Sequence, residues 1–122
     1  MSDRKILVID DEAQIRELVG DILVSRGFTS VTSVATGKAG IETAASIKPD
    51  LVLLDLTLAD MPGEEVQAAI LRANPAARFL IVTGHMLDIG RDSADASVRG
   101  ILQKPFSPQE LFKAIDKAMG AS

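Results

Sequence analysis

The chain has 122 residues, enough for one ordinary domain, with 47% hydrophobic residues, only 3% aromatics and no Cys, Trp or Tyr. Its core must therefore be aliphatic, disulfides and thiolate metal sites are excluded, and few rings are available to stack on bases or sugars. A formal net charge of −4 argues against direct contact with nucleic-acid phosphates or anionic membrane surfaces.

The amino end reads MSDRKILVIDDE, charge followed by a short apolar run and three acids, which is neither a signal peptide nor a membrane span. A protein of the reducing cytoplasm is expected. Ile6-Leu7-Val8-Ile9 is too short for a helix and lacks polar alternation, the pattern of a strand buried on both faces. From about Ala13 to Arg26, Ile15, Leu18, Val19, Ile22 and Leu23 recur at helical steps, and Gly27 is a stop signal. Ser30 to Val34, alternating Val with Ser or Thr, is the weakest strand candidate. A helix from about Lys38 to Ile47 is closed by Pro49.

Leu51-Val52-Leu53-Leu54 gives the next buried strand, and Glu64 to Ala73 a helix with Val66, Ala69 and Ile70 on one face. Phe79-Leu80-Ile81-Val82 repeats the buried-strand pattern. Leu87 to Ser97, interrupted by Gly90 and rich in charge, is the poorest helix candidate. Ile101-Leu102 marks a fifth strand. The last helix follows Ser107-Pro108, with Glu110 three residues after the cap and Leu111, Phe112, Ile115 and Met119 as its apolar face.

The order is β-α repeated five times within a single unit, residues 1–122. Right-handed crossovers turn such a chain into an α/β doubly wound, three-layer sandwich, a five-stranded parallel sheet of flavodoxin-like order 2-1-3-4-5. A ligand site is expected beyond the carboxyl ends of the strands. Those ends carry the chemistry: Asp10, Asp11 and Glu12 after the first strand, Asp55 and then Thr57 after the third, Thr83 after the fourth and Lys104 after the fifth. Singly, each has an ordinary explanation as a helix cap, a turn residue or a solvated charge. Together they bring three carboxylates, a hydroxyl and one ammonium to one rim. Two unit charges about 4 Å apart repel by about 4 kcal/mol at an effective dielectric near 20, so the acids need a cation beyond Lys104, or else one must take up a proton. With no His or Cys among them, an oxygen-preferring ion, Mg²⁺ or Mn²⁺, fits.

With KILVIDDE, LVLLDLTLADMPG, IVTGH and ILQKPF in order and spacing, the sequence from Lys5 to about Ala118 resembles the receiver domains of two-component response regulators. The resemblance implies a phosphoacceptor at Asp55, charged by a sensor histidine kinase, a phosphotransfer protein or a small donor such as acetyl phosphate. It implies Mg²⁺ bound by Asp10, Asp11, Asp55 and the backbone carbonyl of Thr57, with Lys104 and Thr83 contacting the phosphoryl group and a cis bond between Lys104 and Pro105. The role is that of a signalling switch, not an enzyme with a separate substrate, working on a downstream protein partner or on an output domain outside this chain. The face around the fourth and fifth helices is the expected contact surface.

One position departs from the family. Many receivers carry Tyr or Phe three residues before the active-site Lys, and Ile101 stands there. Thr57 and Gly84 flank the site and are expected to tune acyl-phosphate lifetime through water access. His85, the only histidine, reads as a loop residue. Three other readings compete. An aspartyl phosphatase needs a second acid where Thr57 stands. A non-phosphorylated pseudo-receiver does not need the complete set of site residues. A flavin protein of the same fold needs aromatics and a phosphate loop.

Overall fold

A computed structural model describes residues 2–84 and 96–120. The elements run β1 (Ser2–Ile9), α1 (Ala13–Ser25), β2 (Phe28–Val34), α2 (Gly37–Ile47), β3 (Leu51–Asp55), α3 (Gly63–Ala73), β4 (Phe79–Thr83), β5 (Val98–Gln103) and α4 (Pro108–Ala118). The five strands form one parallel sheet in the order β2-β1-β3-β4-β5. The helix expected from Leu87 to Ser97 falls almost wholly outside the described residues, as does His85, so α4 is the helix expected fifth.

Period-two alternation along the strands makes two cores, one on each face of the sheet. Ile6, Val8, Leu51, Leu53, Leu80, Val82 and Leu102 pack on α1 and α4 through Val19, Ile22, Leu23, Leu111 and Ile115. Leu7, Ile9, Val52, Leu54, Phe79 and Ile81 face the other way, against Ala44 of α2 and Val66 and Ile70 of α3. β3 and β4 are buried at every residue, which is why they read as unbroken apolar runs.

Strand boundaries and the burial of two helix residues differ from the sequence reading. β1 begins at Ser2, pairing with β2 across an irregularity between Ser2 and Lys5, and β5 extends back to Val98. Leu18, assigned to the buried stripe of α1, is 38% exposed. Phe112 is only half-buried, its ring covered by the Arg26 guanidinium 4.1 Å from the centroid.

Helix ends are set by local chemistry. Ser107 and Glu110 form the reciprocal capping box, with Pro108 in the first turn of α4. α2 ends at Lys48 in the left-handed region at φ 50. At the amino edge of the sheet, the guanidiniums of Arg4 and Arg78 both donate to the carbonyl of Met119, at 3.1 and 3.2 Å. No helix among the described residues is long and apolar enough to cross a membrane.

Candidate functional site

Parallel strands all end on the same rim, so residues that close β1, β3, β4 and β5 meet there although up to 94 positions separate Asp10 from Lys104. Asp10 and Asp55 are each 2% exposed and Thr83 1%, the only buried polar or charged residues among those described. Asp11 is exposed beside them. One carboxylate oxygen from each of Asp10, Asp11 and Asp55 lies within 4.8 Å of the others. An all-oxygen donor set of this kind suits a hard divalent cation.

Lys104 enters from beyond β5. Its backbone N–H donates to Thr83 O at 2.8 Å, and the Lys104-Pro105 peptide is cis. Its Nζ sits 3.0 Å from Asp10 Oδ2 and 3.4 Å from both Asp55 Oδ2 and Glu12 Oε1. Thr83 comes to the rim as the last residue of β4, in register with Gln103. Thr57 gives Asp55 Oδ1 two hydrogen bonds, from its amide and from its hydroxyl, both at 3.0 Å. That hydroxyl, expected to matter through water access, thus also orients the carboxylate of Asp55.

Electrostatics follow from three acids around one ammonium. Burial pushes the Asp10 carboxyl up from its ordinary value and outweighs the Glu12 N–H and Lys104, which pull it down. Burial also pulls Lys104 down, but Asp10, with Asp55 and Glu12, more than reverses this and leaves the ammonium raised. The two shifts agree physically: one cation is over-supplied with partners, and each partner is under-supplied with cation.

The sequence reading missed two contacts. Glu12 is half-exposed and caps α1 without a side-chain bond, yet it pairs with Lys104. Arg16 Nη1 donates to the Asp10 carbonyl at 2.8 Å, holding the turn into α1. Only the place of Glu12 in the run after β1 hinted at the first. Asp10, a candidate cap for α1, accepts from Glu12 N–H at its Oδ1 at 2.8 Å, so it orders the turn just ahead of the helix. Gly63 is required by close approach, because a Cβ there would lie 2.6 Å from Leu56 Cα and 2.9 Å from the Asp55 carbonyl oxygen. Ile101 pairs with Ile81 of β4 and packs, half-buried, against the core on the α2–α3 side.

A 2-1-3-4-5 parallel sheet with acids at its carboxyl rim is the flavodoxin-like architecture of CheY-type signalling modules. The chain belongs to the response regulator receiver domain family, which matches residues 6–116. It is a CheY-like receiver domain of two-component signalling. It is 29% identical over 116 residues to the chemotaxis protein CheY of Bacillus subtilis, covering 94% of this chain and 97% of that one. It is 32% identical over 120 residues to the transcriptional regulatory protein GlrR of Escherichia coli, covering 96% of this chain but 26% of that longer protein. The crystal structure of a CheY-like receiver domain protein from Methanospirillum hungatei superposes with a TM-score of 0.88 at 28% identity, covering 98% of this chain and 95% of that one.

Proposed function

We propose that this chain takes a phosphoryl group on Asp55 from a sensor histidine kinase or a phosphotransfer protein, and signals through the resulting change to a protein partner or an output domain. The observation that carries this reading is the setting of Asp55. It is a buried carboxylate with one oxygen fixed by Thr57 and the other facing Lys104, next to two further acids.

A carboxylate oxygen of Asp55 attacks phosphorus, the bond from phosphorus to the donor's imidazole nitrogen breaks, and an acyl phosphate forms. Asp10, Asp11, Asp55 and the Thr57 carbonyl are the groups that would hold Mg²⁺, or Mn²⁺, which supplies charge neutralisation to the phosphoryl oxygens. Lys104 offsets charge on another phosphoryl oxygen, and Thr83 donates its hydroxyl to the group once it has arrived. Transfer of this kind depends on positioning and electrostatics more than on further covalent help. The chain then acts as a switch that processes only its own phosphoryl group. The phosphatase reading is disfavoured because the side chain two residues after Asp55 is a hydroxyl bonded to the nucleophile, not a second acid. A cytoplasmic location suits these partners.

Incubation with acetyl phosphate and Mg²⁺, followed by intact mass, tests this on the wild type and Asp55→Asn. A single phosphoryl adduct is expected on the wild type only, abolished by a chelator. An adduct that persists in Asp55→Asn would reassign the acceptor.

A further inference from the structure

α2 does not cap itself alone. Its first amides need acceptors, as at any helix start. Thr36 supplies one locally, its Oγ1 accepting from Ala39 N–H at 3.1 Å. The preceding two amides turn to a residue more than twenty positions later. Asp60 Oδ1 accepts from Gly37 N–H at 2.9 Å and Asp60 Oδ2 from Lys38 N–H at 3.1 Å. These two bonds hold the Asp60 carboxyl below its ordinary value even though it is exposed.

Asp60 lies in the seven-residue connection from β3 to α3, residues 56–62, which also contains Thr57. The base of that loop is closed by Gly63 N–H donating to Leu56 O at 3.1 Å. Its middle is anchored by Leu58, buried in the core beneath. Its far side touches α2 at two points: the Asp60 bonds, and Met61, which lies where a Cβ on Gly37 would fall. Thr57 is three residues before Asp60, and its amide and hydroxyl both bond Asp55.

We infer that Asp60 is a positioning residue for the cation site: by bonding the start of α2, it holds the β3–α3 loop so that the Thr57 carbonyl stays in place beside the acids. This rests on the functional reading above, in which that carbonyl is a metal ligand. Asp60 touches neither the ion nor the phosphoryl group. It acts through the loop, as groups behind a metal ligand do, and losing it should weaken the ion's hold without altering the acceptor.

The test compares wild type, Asp60→Ala and Asp60→Asn. Mg²⁺ affinity is measured by isothermal titration, and the acetyl phosphate reaction is followed across Mg²⁺ concentrations. Asp60→Ala should bind Mg²⁺ about tenfold more weakly, the lower end of what removing such a supporting group does. Its phosphorylation rate should recover to within about twofold of wild type once Mg²⁺ is saturating, since chemistry itself is untouched. Asp60→Asn keeps the Oδ1 acceptor for Gly37 and should fall between the two. In the metal-free protein, Thr57 N–H should exchange with solvent faster in Asp60→Ala.

A simple loss of helix capping would lower the melting temperature but leave Mg²⁺ affinity and Thr57 exchange where they were, and that result overturns the inference. So does a rate that stays depressed at saturating Mg²⁺, because the defect would then lie past metal binding. If the wild type itself binds no Mg²⁺, the functional reading fails first and this inference with it. Normal wild-type binding with unchanged affinity in Asp60→Ala removes the inference alone.

Discussion

Replacing Lys104 by Met keeps the apolar stem and deletes the ammonium that Asp10, Glu12 and Asp55 share. At an effective dielectric near 20, a unit pair is worth about 5.5 kcal/mol at the 3.0 Å separation from Asp10 and about 4.9 kcal/mol at the 3.4 Å separation from Asp55. That gross loss, about 10 kcal/mol before the regained hydration of Lys104 is deducted, is too large to be realised. A cheaper escape exists: Asp10, already raised by burial, takes up a proton. Neutralising an acid whose unfolded value is 3.8 costs about 1.36 kcal/mol per pH unit above that value, which is about 4.4 kcal/mol at pH 7 and about 1.6 kcal/mol at pH 5. Protonation also ends the Asp10–Asp55 repulsion, which offsets most of the attraction Asp55 loses, so these figures approximate a ceiling on the destabilisation of Lys104→Met. Urea denaturation in the presence of a chelator should show a deficit that shrinks on acidification and stays beneath them. Mg²⁺ should stabilise the variant more than the wild type, because the ion then meets no resident cation. A deficit that is flat from pH 5 to pH 8, or one well above the ceiling at pH 5, would refute this account of the rim.

Three further outcomes test separate links. Asp10 favours folding in its protonated form, so its contribution is fully present below 3.8 and is lost as pH rises through its folded value. Without metal, Asp10→Asn should therefore gain on the wild type in thermal melts as pH rises above 3.8, and saturating Mg²⁺ should erase that advantage. Gly63→Ala drives a methyl into backbone atoms of Leu56 and Asp55 that cannot rotate away, and should lower stability by about 1–3 kcal/mol in urea denaturation. Lys48→Gly removes a side chain from a left-handed residue and should raise stability by about 1 kcal/mol in the same assay.

Much of the fold was legible because its central strands are covered on both faces. β3 and β4 announce themselves as Leu51 to Leu54 and Phe79 to Val82, and the acid, hydroxyl and ammonium at the strand ends followed once strand order was inferred. The ends of β1 and β5 were not legible. Ser2 to Lys5 and Val98 to Gly100 are polar or small, and they are strands only because a neighbour offers a ladder. Leu18 fits the helical period of α1 but lies beyond the area the sheet covers. Asp60 left no local trace, since its two acceptor bonds are made to a helix that begins 23 residues earlier. Contacts of that kind exist only after the chain has folded.

The clasp of Arg4 and Arg78 on the Met119 carbonyl has a practical corollary. It brings the first strand and the last helix together on the amino edge of the sheet, with Ser2 some seven residues, or about 23 Å of strand, from Ile9 and the acids beyond it. A fluorophore or immobilisation handle attached near either Ser2 or Gly120 would thus emerge on the side away from the acids, leaving the rim open to a docking donor protein.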